Sequence, residues 1–106
     1  MNNQCEDVFT ALADATRRQI LETLAAGESR TATQLAAEFP MTRQGVTKHL
    51  RLLSQANLVQ TRRSGRETIY TFNPQPLTAT SAWLAELTVQ WDTRLQRLQD
   101  YLANDV

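Results

Sequence analysis

One cysteine, one histidine, three glycines and three prolines are all that this 106-residue sequence contains of those types, and each scarcity removes a class of protein. The lone Cys5 excludes an intramolecular disulfide. A metal sensor needs three or four convergent soft or imidazole ligands, and Cys5 and His49 lie in distant segments, so no metal and no cofactor are expected. Cys5 itself reads as a small hydrophobe on a helix face, and His49 as a packed or phosphate-bonding side chain. No Gly-rich phosphate loop and no nucleophile-and-base pairing is present, which argues against an enzyme. No run approaches the ~20 apolar residues of a membrane helix. The start Met1-Asn-Asn-Gln-Cys-Glu-Asp7 has neither the basic head nor the apolar stretch of a secretory signal. A cytoplasmic protein with a reduced thiol is the expectation.

Acid is also missing where it matters most. From Pro40 to Arg66 there is no Asp or Glu, yet the stretch holds Arg43, Lys48, Arg51, Arg62, Arg63 and Arg66, over half of the chain's 11 Lys and Arg. All 11 acidic residues lie outside it, so a net charge of zero conceals a strong dipole. Charge segregated in this way suits a protein that docks one face on a polyanion while overall neutrality limits unspecific sticking. Double-stranded DNA is the leading partner.

The length fits a single domain over residues 1–106, small enough that pairing with a second copy would add needed stability. Cys5, Val8, Phe9 and Leu12 recur at the helical spacing of three and four, marking a short first helix near residues 4–13. Asp14 offers an N-cap to a second helix bearing Ile20, Leu21 and Leu24, and Gly27 a permissive stop. Thr31-Ala-Thr-Gln34 matches a capping box ahead of Leu35, Ala36 and Phe39, so a third helix should run up to Pro40. Thr42 can cap a fourth from about Arg43 to Ala56. Two short helices joined so tightly, over about residues 31–56, form a helix-turn-helix. Asn57 tolerates the left-handed geometry of a helix end, and the period then changes. Residues 58–72 read as a β-hairpin turning at Ser64-Gly65. A long helix follows Pro74 and Pro76, from about Leu77 to Ala103. The fold class is thus mainly α, with five helices and a small hairpin wing.

On the fourth helix Val46, Leu50 and Leu53 form one stripe, while Gln44, Thr47, Lys48 and Arg51 project from the other side. Such a helix fits the major groove, where Gln pairs with adenine, Lys or Arg with guanine, and a Thr methyl meets thymine. Thr42 and Arg43 sit at the helix start, where the dipole favours a phosphate. Any surface helix is polar outside, but ordinary ones mix both charge signs, and this one does not. Arg62, Arg63 and Arg66 surround the hairpin tip and suit a wing that straddles the DNA backbone, with Glu67 placed to brace one of them.

The last helix carries Leu84, Leu87, Trp91, Leu95, Leu98 and Leu102 at steps of three and four, with Trp83 beside them. A helix of about 27 residues spans ~40 Å, against a radius of gyration of ~13 Å for a compact domain of this size. Part of that seam therefore needs a partner, and a homodimer is the economical one. Val8 and Phe9, with Cys5 and Leu12, are expected to join the same interface.

Several strings then carry a resemblance: Phe9-Thr-Ala-Leu-Ala-Asp-Ala-Thr-Arg-Arg-Gln-Ile-Leu21, Gln34-Leu-Ala-Ala-Glu38, Thr42-Arg-Gln-Gly-Val-Thr-Lys-His-Leu50, Leu53-Ser-Gln-Ala-Asn-Leu-Val59 and Gly65-Arg-Glu-Thr-Ile-Tyr70. Together they resemble the ArsR family of winged-helix bacterial transcriptional repressors over nearly the whole chain. The resemblance implies a homodimer paired through its first and last helices, reading a roughly palindromic operator. It implies groove contacts from Arg43, Gln44, Thr47 and Lys48, and wing contacts from Arg62, Arg63 and Arg66. Three departures stand out. Where metal-sensing members carry a cysteine pair on the third helix, this chain has Thr33-Gln-Leu-Ala-Ala37. Their alternative site needs histidines on the last helix, which has none. Ala15 and Asn57 replace the usual proline and glycine. The late Trp83, Leu84, Glu86, Leu87 and Trp91 pattern is similar to a metal-independent branch, and an unknown small-molecule effector stays open. A competing reading is a winged-helix interaction module that dimerises but binds a protein or acidic surface; Gln44 and Thr47 favour DNA, since a merely cationic surface has no use for base-reading groups.

Overall fold

The computed structural model describes residues 3–104. Along the chain the elements are α1 (Asn3–Leu12), α2 (Ala15–Ala26), β1 (Arg30–Thr31), α3 (Ala32–Ala36), α4 (Arg43–Gln55), β2 (Val59–Ser64), β3 (Glu67–Phe72) and α5 (Gln75–Asn104). Helix ends are set where side chains satisfy orphan amides and carbonyls. Asp14 caps α2 by accepting from the Arg17 amide at 3.0 Å. The Arg17 side chain then turns back on α1, donating from Nε to the Ala11 carbonyl at 2.7 Å and from a terminal nitrogen to Thr10 at 3.1 Å. Arg18 donates to the Leu12 carbonyl at 2.6 Å. Two arginines thus close the C-terminus of one helix from the first turn of the next. Thr31 and Gln34 form the reciprocal capping box, at 3.1 and 2.9 Å.

Helices α2, α3 and α4 pack around Ile20, Leu21, Leu24, Leu35, Val46, Leu50 and Leu53, closed by Leu58 and Val59 at the base of the wing. Each fully buried leucine here contributes roughly 1.5–3 kcal/mol of burial. Asn57 takes the left-handed conformation (φ 58°) that turns the chain from α4 into β2. The sheet has the order β1-β3-β2, all antiparallel, with Thr61 opposite Tyr70, Arg62 opposite Ile69 and Arg63 opposite Thr68. Ser64 pairs with Glu67, so the turn consists of Gly65 and Arg66, and Gly65 supplies the positive φ of 64° that so tight a hairpin requires.

Several expectations need correction. The wing is a three-stranded sheet: β1, only two residues long, pairs Arg30 with Tyr70 and Thr31 with Ile69. α3 stops at Ala36, before Phe39, because Ala37 already caps it. Gly27 does stop α2, as its C-cap, and does so in an extended conformation (φ −133°, ψ −157°). α5 begins at Gln75, and Pro76 sits in its first turn, where no intrahelical N–H bond is lost.

The largest correction concerns α1. Val8 is 0% exposed and Cys5 is buried within the subunit's own core, the latter accepting from the Thr80 hydroxyl at 3.8 Å. Leu12 packs against the same core. Val8 is therefore no interface residue; the three-four spacing on α1 records its packing on α2, α4 and α5. Phe9 alone of the four turns outward, 38% exposed, and meets Trp83 of α5 edge to face at 5.9 Å.

Beyond Trp83, α5 leaves the rest of the subunit behind. The molecule measures 72 × 24 × 22 Å with a radius of gyration of 19.5 Å, against ~13 Å for a compact chain of about this length. Leu84, Leu87, Trp91, Leu95, Leu98 and Leu102 are all exposed, between 39% and 59%.

Candidate nucleic-acid interface

Helix α4 separates its two faces cleanly. Val46, Leu50 and Leu53 are fully buried, and Gln44, Lys48 and Arg51 are exposed. Arg43, Gln44, Thr47, Lys48 and Arg51 together line one shallow depression of about 250 Å³. The five expected groove residues of α4 therefore share one surface. Thr42 starts the helix, its Oγ1 accepting from the Gly45 amide at 3.1 Å. Its own O–H is left as a donor at the positive end of the helix dipole. The Thr47 hydroxyl donates to the Arg43 carbonyl at 2.9 Å, which leaves its methyl as the group available for an apolar contact.

The wing arginines divide by strand alternation. A second cleft, of about 190 Å³, runs between α4 and the wing, and both Arg43 and Thr47 line it from the helix side. Arg63, Arg66, Glu67, Thr68 and Tyr70 line it from the wing, and Thr31 and Thr33 from the start of α3. Arg62 is one residue from Arg63 and so lies on the opposite face of the sheet, level with Ile69. Glu67 braces no arginine: among the described residues the ion pair joins Arg30 to Glu38. Of the threonines lining this cleft Thr47 was expected on the recognition face, whereas Thr31, engaged by its capping box, and Thr33 and Thr68, which carry no motif, were not legible as site groups.

His49 is half-buried on α4. The Arg17 amide chiefly, then the charges of Arg17 and His49, hold the Asp14 carboxyl below the usual carboxylate range, outweighing the desolvation that opposes them. Among the described residues no group of three or more His, Cys, Asp or Glu could hold a metal ion, and no helix is long and apolar enough to cross a membrane.

A family model described as a helix-turn-helix domain matches residues 12–62. The transcriptional repressor SdpR of Bacillus subtilis (strain 168) is 33% identical over 95 residues, covering 90% of this chain and 100% of that protein. An ArsR-like transcriptional regulator from Rhodococcus sp. RHA1 superposes with a TM-score of 0.83 at 34% identity, over 92% of this chain and 91% of that one. The homodimeric winged helix-turn-helix DNA-binding domain of Mb0332 from Mycobacterium bovis gives a TM-score of 0.63 at 28% identity, over 90% and 84%. With a winged helix-turn-helix, a long C-terminal helix and relatives of this kind, the chain belongs to the ArsR family of winged helix-turn-helix transcriptional regulators.

Proposed function

We propose that this protein is a homodimeric, sequence-specific DNA-binding repressor that occupies a roughly palindromic operator. The observation that carries this reading is the shared surface of Arg43, Gln44, Thr47, Lys48 and Arg51, which joins base-reading amide and methyl groups to cations on an acid-free helix. Gln44, Thr47, Lys48 and Arg51 read base edges in the major groove, and Thr42 and Arg43 hold backbone phosphates. Arg62, Arg63 and Arg66 serve as wing contacts. The dimer forms along Leu84, Leu87, Trp91, Leu95, Leu98 and Leu102 with Phe9, a seam too exposed for a stable monomer and found on a fold whose Mycobacterium bovis relative is homodimeric. Repression is the named role of SdpR. Thr33-Gln-Leu-Ala-Ala37 and a last helix without histidine support the metal-independent branch.

Competition between operator and scrambled duplexes, repeated across salt, tests the reading. If each subunit neutralises about four phosphates, log affinity falls with a slope of about −7 against log salt, and the scrambled duplex competes far less well. Equal competition by both duplexes would favour a merely cationic interaction module.

A further inference from the structure

The cleft between α4 and the wing has a composition that the groove-reading role does not require. Arg43 enters it from the first turn of α4, and Arg63 and Arg66 from the wing, with Thr47 and Thr68 beside them. Arg43 and Thr47 also line the depression on the recognition face, so cleft and depression are contiguous. Three guanidinium groups against the single carboxylate of Glu67 leave the cleft net positive, and no base-reading carboxamide lines it. Its volume of about 190 Å³ leaves room for a phosphodiester group.

We propose that this cleft seats one DNA phosphodiester per subunit, held jointly by Arg43, Arg63 and Arg66, and that Arg62, on the other face of the wing, contacts DNA independently of it. The proposal rests on the DNA-binding reading above and assigns a specific task to the junction of helix and wing. Guanidinium forks match phosphate oxygens in pairs, and the Thr68 hydroxyl can donate to a remaining lone pair, the Thr47 hydroxyl being already engaged by the Arg43 carbonyl. A phosphate held from two elements at once fixes the angle between α4 and the hairpin, so the wing locks the recognition helix in register with the groove. Glu67 opposes this seat electrostatically and keeps its grip from exceeding what base discrimination tolerates. Arg62 is separated by the alternation of β2, which directs adjacent side chains to opposite faces of the sheet.

The test uses a duplex selected from a random-sequence pool by the wild-type protein, with single neutral methylphosphonates placed along its backbone. At one position per half-site, wild-type affinity should fall roughly tenfold. On unmodified duplex, Arg43→Ala, Arg63→Ala and Arg66→Ala should each weaken binding by a similar factor, and none should lose further when that one phosphate is neutral. Arg62→Ala should lose its full factor on both duplexes. Glu67→Gln should tighten binding a few-fold, and only while the phosphate is charged. Inorganic phosphate at constant ionic strength should leave affinity unchanged, since a lone anion lacks the rest of the duplex; effective competition by it would instead identify a free-anion site. Arg43 and Arg63 mapping to different phosphates, or Arg62 mapping to the shared one, overturns the proposal while DNA binding itself stands. Failure of the wild-type protein to select any duplex would remove the underlying reading instead.

Discussion

Gln4 of α1 donates from Nε2 to the carbonyl of Ala56 at 2.6 Å, and the same amide accepts from Asn57 Nδ2 at 3.1 Å. Asn73 in turn donates to the Asn57 carbonyl at 2.8 Å. The Gln4 carboxamide thus ties α1 to the end of α4, and Asn73 joins that same point to the approach to α5. Gln4→Ala should cost about 1 kcal/mol in urea unfolding, the ordinary net worth of such bonds. The salt slope of DNA binding should not change, because the residue lies away from the cationic face.

Asp14 gives the pH dependence a definite sign. Its carboxyl is held below its ordinary value in the folded state, so its contribution is complete above the unfolded carboxylate range and fades as pH falls through the lower folded value. Asp14→Asn keeps a capping oxygen but removes the charge. The variant should be less stable than wild type at neutral pH, and the difference should vanish at the acid end of a series of denaturant titrations.

Leu95 lies midway along the exposed seam of α5. Leu95→Asp should weaken self-association by at least about thirtyfold, the scale of a central interface residue, measured by sedimentation equilibrium. The subunit core around Leu50 and Leu53 does not include Leu95, so far-UV circular dichroism should be retained.

Gln44 and Lys48 share a surface but should fail differently. Gln44→Ala should cost ~1–3 kcal/mol on the selected sequence, little on a scrambled one, and leave the salt slope unchanged. Lys48→Ala removes a cation from the groove as well as a base contact, so it should also flatten the slope, by up to about 0.9.

The helix-turn-helix and the wing were legible because their signals are local. Thr31 and Gln34 cap each other within one turn, Thr42 caps α4, and Asn57 adopts the positive φ its residue type permits. β1 was invisible because two residues cannot show a period; Arg30 and Thr31 become a strand only by pairing with Tyr70 and Ile69 nearly forty positions away. Nothing in the sequence marks Arg17 and Arg18 as cap residues, since their partners are carbonyls of the preceding helix. Val8 shows a limit of periodicity, which reveals that a helix has an apolar face but not whether its own subunit or another covers it. The division of Arg62 from Arg63 also waited for the strand register.

The central claim is that two copies of α4 enter successive major grooves of one duplex. Hydroxyl-radical protection of a selected duplex by the wild-type protein measures this directly. Two protected patches related by a dyad, about 34–36 Å apart, are the predicted result, with both lost together in Leu95→Asp at concentrations where wild type protects fully. A single patch, or two that survive intact in that variant, would contradict it.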